Sequence, residues 1–127
     1  MPIELNHTII HARDRRASAV FLATVLGLEV GPPLGRFLPV TTDNGVTLDF
    51  AETGPDIAAQ HYAFLVAEED FDGIFERMRD TGTPYWADPR QERPGEINHN
   101  DGGRGVYFLD PSGHYMEVLT RPYGSGS

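Results

Sequence analysis

Residues alternate in side from Leu5 to Ala12: Leu5, His7, Ile9 and His11 share one side, and Asn6, Thr8, Ile10 and Ala12 the other. A period of two predicts a strand. The spacing then lengthens. Between Ser18 and Leu26 the apolar residues Val20, Phe21, Val25 and Leu26 predict a short amphipathic helix, with Gly27 as its C-cap. Two extended segments follow, Arg36 to Thr42 and Val46 to Ala51, joined by Asp43-Asn44-Gly45, where Asn-Gly favours a tight hairpin. Turn formers from Glu52 to Asp56 mark an internal boundary. Beyond it the pattern returns. His61 to Ala67 predicts a strand, and Glu69 to Thr81 a helix with Phe71, Ile74, Phe75 and Met78 on one face and Gly82 as its stop. Pro84 to Ala87 is extended and leads into a polar, Pro/Gly-rich loop, Asp88 to Arg104. Gly105 to Asp110 and His114 to Thr120 predict two more strands around a turn at Asp110-Pro111-Ser112-Gly113.

The order is strand, helix, strands, written twice, with two extended segments named after the first helix and three after the second; it is read as an internal repeat of strand, helix, three strands. The offset from His7 to Phe21 recurs from His61 to Phe75. The fold expected is α+β, built from two βαβββ modules at about 1–53 and 56–122. Together they would make a single domain over 1–123, with a flexible tail at 124–127.

Composition narrows the chemistry. The chain has 127 residues, no cysteine, and ten basic residues that are all arginine, against 19 acidic ones, for a net charge of −9. Thiolate nucleophiles, disulfides, Cys-ligated metals and lysine Schiff bases are excluded. The acidic balance argues against nucleic acid as a partner, because that binding relies on basic side chains against phosphates. No apolar run is long enough to span a membrane, and the first residues lack a secretion signal, so the cytoplasm is the expected location.

The alternation also sorts side chains by face. Tyr62, Phe64 and Val66 are the bulky set of their strand and suit a helix. His61, Ala63 and Leu65 then face away, toward the inside of a curved sheet. By the same reasoning Glu117 and Asp49 face that interior from the last strand of each module. A carboxylate between apolar neighbours needs a partner, and a metal is one. Two imidazoles with one carboxylate and open positions is the pattern of non-haem iron enzymes; a fourth ligand makes zinc, nickel or manganese equally suitable. A histidine satisfied within a core is the competing reading for each ring.

Leu5-Asn6-His7, Gln60-His61-Tyr62-Ala63-Phe64 and the run from Tyr107 to Glu117, with its Asp-Pro-x-Gly-His-x-x-Glu, resemble the signature segments of the vicinal oxygen chelate superfamily (glyoxalase, bleomycin resistance and extradiol dioxygenase proteins). The resemblance spans residues 3 to about 122. It implies paired βαβββ modules curled into a cup around a divalent metal held by His7, His61 and Glu117. Fe(II) is the first choice, with Mn(II), Ni(II) or Zn(II) as alternatives. It also implies a homodimer, in which some small members build each site from both chains. The implied activity is of the dioxygenase or lyase/isomerase type, on a small oxygen-rich substrate chelated at the metal.

Asp49 occupies the position where glyoxalase I-like members supply a fourth carboxylate. Asp49 and His11 are the candidate catalytic bases, although His11 lies about 13 Å along the strand from His7 and would line the pocket rather than share its metal. Tyr107 matches a substrate-contacting tyrosine, and is assigned both a catalytic and a substrate-binding role. In the Asp88 to Arg104 loop, His99, Asn100 and Arg104 are the candidate substrate-binding residues, under the expectation that the loop forms a lid. The potassium loop of fosfomycin-resistance members has no counterpart, and the chain has no lysine for their substrate contact. The alternative function is a metal-independent drug- or metabolite-binding protein, as in bleomycin resistance; a purely structural domain is the third reading.

Overall fold

The computed structural model describes residues 2–126. Its main chain divides into two compact units, 1–58 and 59–127. In the first unit the order is β1 (His7–Ala12), α1 (Arg15–Leu26), β2 (Leu38–Thr41) and β3 (Thr47–Glu52). The sheet order is β1-β3-β2, with β1 parallel and β2 antiparallel to the central β3. In the second unit β4 (His61–Leu65), α2 (Glu68–Asp80), β5 (Tyr85–Trp86), β6 (Gly105–Leu109) and β7 (Tyr115–Leu119) follow. Their sheet order is β4-β7-β6-β5, again with the first and last strands parallel. No helix is long and apolar enough to cross a membrane among the described residues.

The mixed α+β class and the repeat are both present, with one shortfall. The first unit has two strands after its helix instead of three. Val30 forms only an isolated bridge to Val40, in the place that β5 takes in the second unit. Gly31-Pro32-Pro33 follow immediately, and proline has no N–H to extend a ladder.

The first helix also starts earlier than its apolar spacing implies. The Asp14 side chain accepts from the backbone N–H groups of Arg16 and Ala17, which caps the helix at Arg15. Its buried face is Ser18, Ala19, Leu22, Ala23 and Val25. Val20, expected on that face, is 44% exposed. Small residues let the helix lie close to the sheet, so the buried stripe is poorer in large side chains than a search for them assumes. Gly27 does close the helix, in the left-handed region at φ 73°.

In the second unit Phe71, Ile74 and Met78 of α2 are buried, and the Phe75 ring meets the edge of Tyr85 at 5.0 Å. Acidic residues open α2 and Arg77 and Arg79 lie in its last turn, each end complementing the helix dipole. The helix-facing side of the sheet carries Phe64, Phe108, Met116 and Val118; the other side carries His61, Tyr107 and Glu117.

Candidate metal centre

Glu117 sits on β7, the inner strand between β4 and β6. Its cross-strand neighbours are Ala63 on β4 and Tyr107 on β6. His61 lies two residues before Ala63, hence on the same face. The result is a compact group. His61 Nε2 is 3.0 Å from Glu117 Oε1, the His61 and Tyr107 rings lie 6.0 Å apart, and the Tyr123 hydroxyl donates to both Glu117 oxygens at 2.5 Å. The Tyr107 and Tyr123 hydroxyls are 3.0 Å apart. Glu117 is 1% exposed, whereas the His61 side chain is 48% exposed. The carboxylate is therefore reached from the imidazole side. Burial first, and the Glu117 and Asp88 charges after it, push the Tyr107 hydroxyl above the usual phenol range, although the hydrogen bond with Tyr123 opposes this. Burial and the hydrogen bond to Glu117 push Tyr123 up as well. Both phenols are donors at neutral pH.

The first unit carries the matching register. His7 lies two residues before Ile9, and Ile9 pairs with Asp49 on the central β3. This reproduces the relation of His61, Ala63 and Glu117. Asp49 is only half-buried, and its other neighbour is Pro39, which offers no donor where β6 offers Tyr107. His11, further along the same face, is exposed. Asn6 Oδ1 is 2.8 Å from His7 Nδ1. With Nδ1–H donating there, Nε2 keeps its lone pair outward, the tautomer a metal ligand requires.

The donor chemistry fits a divalent cation. An imidazole nitrogen and a buried carboxylate oxygen stand 3.0 Å apart, and no arginine pairs with Glu117 among the described residues. Among those residues no group of three or more His, Asp or Glu side chains gathers closely enough to enclose an ion. The second unit thus offers two donors of a set.

The loop residues divide. His99 and Asn100 are exposed at a short helical turn, Asn100–Gly102. Arg104 is committed elsewhere. Its guanidinium bonds Glu68 and Asp72 of α2, each at 2.6 Å, and lies 4.5 Å from the centre of the Phe71 ring. It faces the helix side of the sheet and clamps the loop end to α2. Asn98, which its residue type gave no reason to select, is buried. Its Nδ2 donates to the Ala87 carbonyl, and its main chain exchanges both hydrogen bonds with Gly105. A Cβ on Gly105 would stand 2.8 Å from Asn98 Oδ1, so this contact requires glycine.

The Asp-Pro-x-Gly-His run has a structural reason. Asp110 Oδ1 accepts from the N–H groups of Ser112 and His114, at 3.0 and 2.8 Å, and Gly113 takes φ 88°. His114 is fully buried and its Nδ1 accepts from the Gln60 N–H at 3.0 Å, while the Gln60 carbonyl accepts from Tyr115. His114 thereby holds the residue before His61.

Asp110 Oδ2 has no hydrogen-bond partner among the described residues. Burial raises the Asp110 pKa, against the lowering effect of its backbone donors and His114. A raised folded-state pKa contributes stability that is full below the unfolded aspartate value, near 3.9, and is lost as pH rises through the folded value. The stability of the chain relative to Asp110→Asn is therefore expected to fall as pH rises from 3 to 7, by about 1.4 kcal/mol per unit of elevation. Urea unfolding of both proteins across that range measures it, and a pH-independent difference contradicts it.

The chain is thus a repeated α+β unit that places a histidine and a carboxylate on one face of adjacent parallel strands. The chain belongs to the glyoxalase/bleomycin resistance protein/dioxygenase superfamily, whose family model matches residues 4–118. Among solved structures it is similar to oxidase ChaP-H2, with 62% identity, TM-score 0.97 and full coverage of both chains. It is also 32% identical over 120 residues to glutathione transferase FosA from Serratia marcescens, covering 90% of this chain and 78% of that protein. A fosfomycin resistance protein FosX from Listeria monocytogenes, solved with Mn(II) and a dihydroxypropylphosphonic acid, shares the fold. Its TM-score is 0.70 at 20% identity, covering 100% of this chain and 93% of that one.

Proposed function

We propose that the chain is a metal-dependent oxidase or dioxygenase, acting on a small oxygen-rich substrate, with His7, His61 and Glu117 as ligands of Fe(II). The observation that carries this reading is Glu117: a buried carboxylate with an imidazole nitrogen beside it and neutral phenols as its remaining partners. The similarity to oxidase ChaP-H2 over the whole chain supports the oxidase class. Two His and one carboxylate with open positions suits Fe(II) and oxygen chemistry.

When bound, the metal supplies Lewis-acid polarisation of neighbouring substrate oxygens and, as iron, a place for dioxygen. The chain's own residues do the rest. Glu117 and His61 present oxygen and nitrogen donors on one sheet face. The Tyr107 phenol, held as a donor by burial, hydrogen-bonds an oxyanion developing on the substrate. Asp49 and His11 are the bases for proton removal, and His99 and Asn100 contact the substrate from the loop. His7 is the third ligand of the set, and the working form is a homodimer.

The test is metal analysis of protein purified without added metal and reconstituted anaerobically with Fe(II), followed by oxygen uptake with candidate diphenolic substrates. About one ion per chain is expected. Stoichiometric metal retained by the double His7→Ala/His61→Ala variant overturns the ligand set. Tight binding of an aromatic compound that ignores chelators, with no uptake, supports a sequestering protein instead.

A further inference from the structure

We infer that Tyr123 is a built-in stand-in for the metal: its hydroxyl caps the Glu117 carboxylate and gives way when a cation loads there. The inference rests on the metal-centre reading and deepens it. It starts from geometry. The Tyr123 oxygen is equidistant from Glu117 Oε1 and Oε2, at 2.5 Å from each. That places it on the open edge of the carboxylate, between the two oxygens, where a cation bound by this side chain approaches. The Tyr107 hydroxyl at 3.0 Å adds a second phenol to the cap. Only the tip of Tyr123 is engaged, for the residue as a whole is 61% exposed. Its ring is not built into the core, so withdrawal uncovers little apolar surface.

The segment that carries Tyr123 is itself held by a few polar contacts. The Gly124 and Gly126 N–H groups donate to Asp101 Oδ1, at 3.1 and 3.2 Å. Arg121 bonds the Ser125 carbonyl, and the Ser125 N–H and hydroxyl bond Pro122. Asp101 stands at φ 57°, in the left-handed region unusual for a non-glycine residue, and its carboxylate meets the strap there. These hydrogen bonds are exposed except the half-buried one from Gly126, and exposed backbone hydrogen bonds open at small free-energy cost. The cap is thus strong at the carboxylate and weak at its mount, which suits a group that must leave without unfolding the sheet. Tyr123 is a positioning residue in this scheme. It keeps the buried Glu117 satisfied until the metal arrives, and it sets a threshold that a weakly binding cation does not pass.

The experiment uses the full chain and Mn(II), followed by the electron paramagnetic resonance signal of the free ion. Three variants are compared with wild type: Tyr123→Phe, which keeps the ring and removes the cap; Asp101→Ala, which frees the strap without touching the carboxylate; and His61→Ala. Tyr123→Phe is expected to bind Mn(II) about tenfold or more tightly, the worth of a hydrogen bond to a charged group. Asp101→Ala should shift affinity in the same direction by less. In wild type, hydrogen exchange at Gly124 and Gly126 should speed up on saturation with Mn(II). Unchanged or weaker binding by Tyr123→Phe, or undiminished protection at those two amides, overturns the cap while leaving the metal-centre reading in place. Absence of Mn(II) binding in wild type and Tyr123→Phe alike overturns both. Wild-type binding that persists in His61→Ala removes His61 from the ligand set, and the cap then stands on Glu117 alone.

Discussion

Replacing Glu117 with glutamine is expected to remove metal binding and turnover while leaving the fold as stable as wild type, or more so. The side chain is 1% exposed and its partners are His61 and the two phenol-bearing residues at the carboxylate. Glutamine keeps the volume, and its carbonyl still accepts from Tyr123. What disappears is the negative charge. A charge in a buried site stabilises a cation strongly, but costs the folded chain when no cation is there. Loss of a supporting residue around a metal typically weakens affinity by about 10- to 100-fold, and loss of a direct ligand should exceed that. Metal content and urea unfolding of the same preparations give both halves of the result. Wild-type metal content in Glu117→Gln contradicts the assignment. Unfolding of the variant at much lower urea assigns Glu117 a structural role instead.

Phe108→Ala is expected to cost about 3–5 kcal/mol, a large part of the roughly 5–15 kcal/mol that holds a domain of this size together. Phe108 is fully buried on β6, paired with Met116 on one side and Tyr85 on the other, beneath α2. The cost within that range follows how far Met116 and its neighbours relax into the space the phenyl ring leaves. Val20→Ala is the control: Val20 is 44% exposed on the outer side of α1, and its truncation should cost under about 1 kcal/mol. Equilibrium unfolding in urea measures both. Comparable losses at the two sites contradict the placement of the core.

Much of the fold was legible because a period of two along a strand sorts side chains by face before any contact is known. Ile10, Ala12, Leu48 and Phe50 are buried, whereas His7, His11 and Asp49 stand on the more accessible face. The duplicated pattern likewise placed Glu117 and Asp49 at matched positions. Other features were hidden for physical reasons. The inner face of α1 is made of alanines and a serine, which carry little hydrophobic signal. The third strand that the repeat implies after α1 shrinks to one bridge at Val30, because Pro32 and Pro33 follow it and cannot donate to a ladder. Arg104 looked available for a ligand because its acidic partners, Glu68 and Asp72, lie far back in the chain on α2. Tyr123 gave no sign of its contact with Glu117, since a lone tyrosine after Pro122 has no period to read. In the tail expected at 124–127, Gly124 and Gly126 bond Asp101, and Ser127 lies outside the described residues.

The Asn98–Gly105 rung has a consequence for how relatives of this chain can diverge. The loop between Ala87 and Asn98 is tied back at several points: the Ala87 N–H donates to the Arg93 carbonyl, the Gly95 N–H to the Tyr85 carbonyl, and Asn98 bonds both the Ala87 carbonyl and the residue that opens β6. Register is therefore restored before Tyr107 and Glu117 are reached. Only the tip of the loop, around Pro89 and Arg90, lies outside those ties, and its length and sequence can change without moving the residues that follow. Closing a longer loop costs only about 0.6 kcal/mol per doubling of its length. Sequence change can thus accumulate at that tip while the face that carries His61, Tyr107 and Glu117 stays in place.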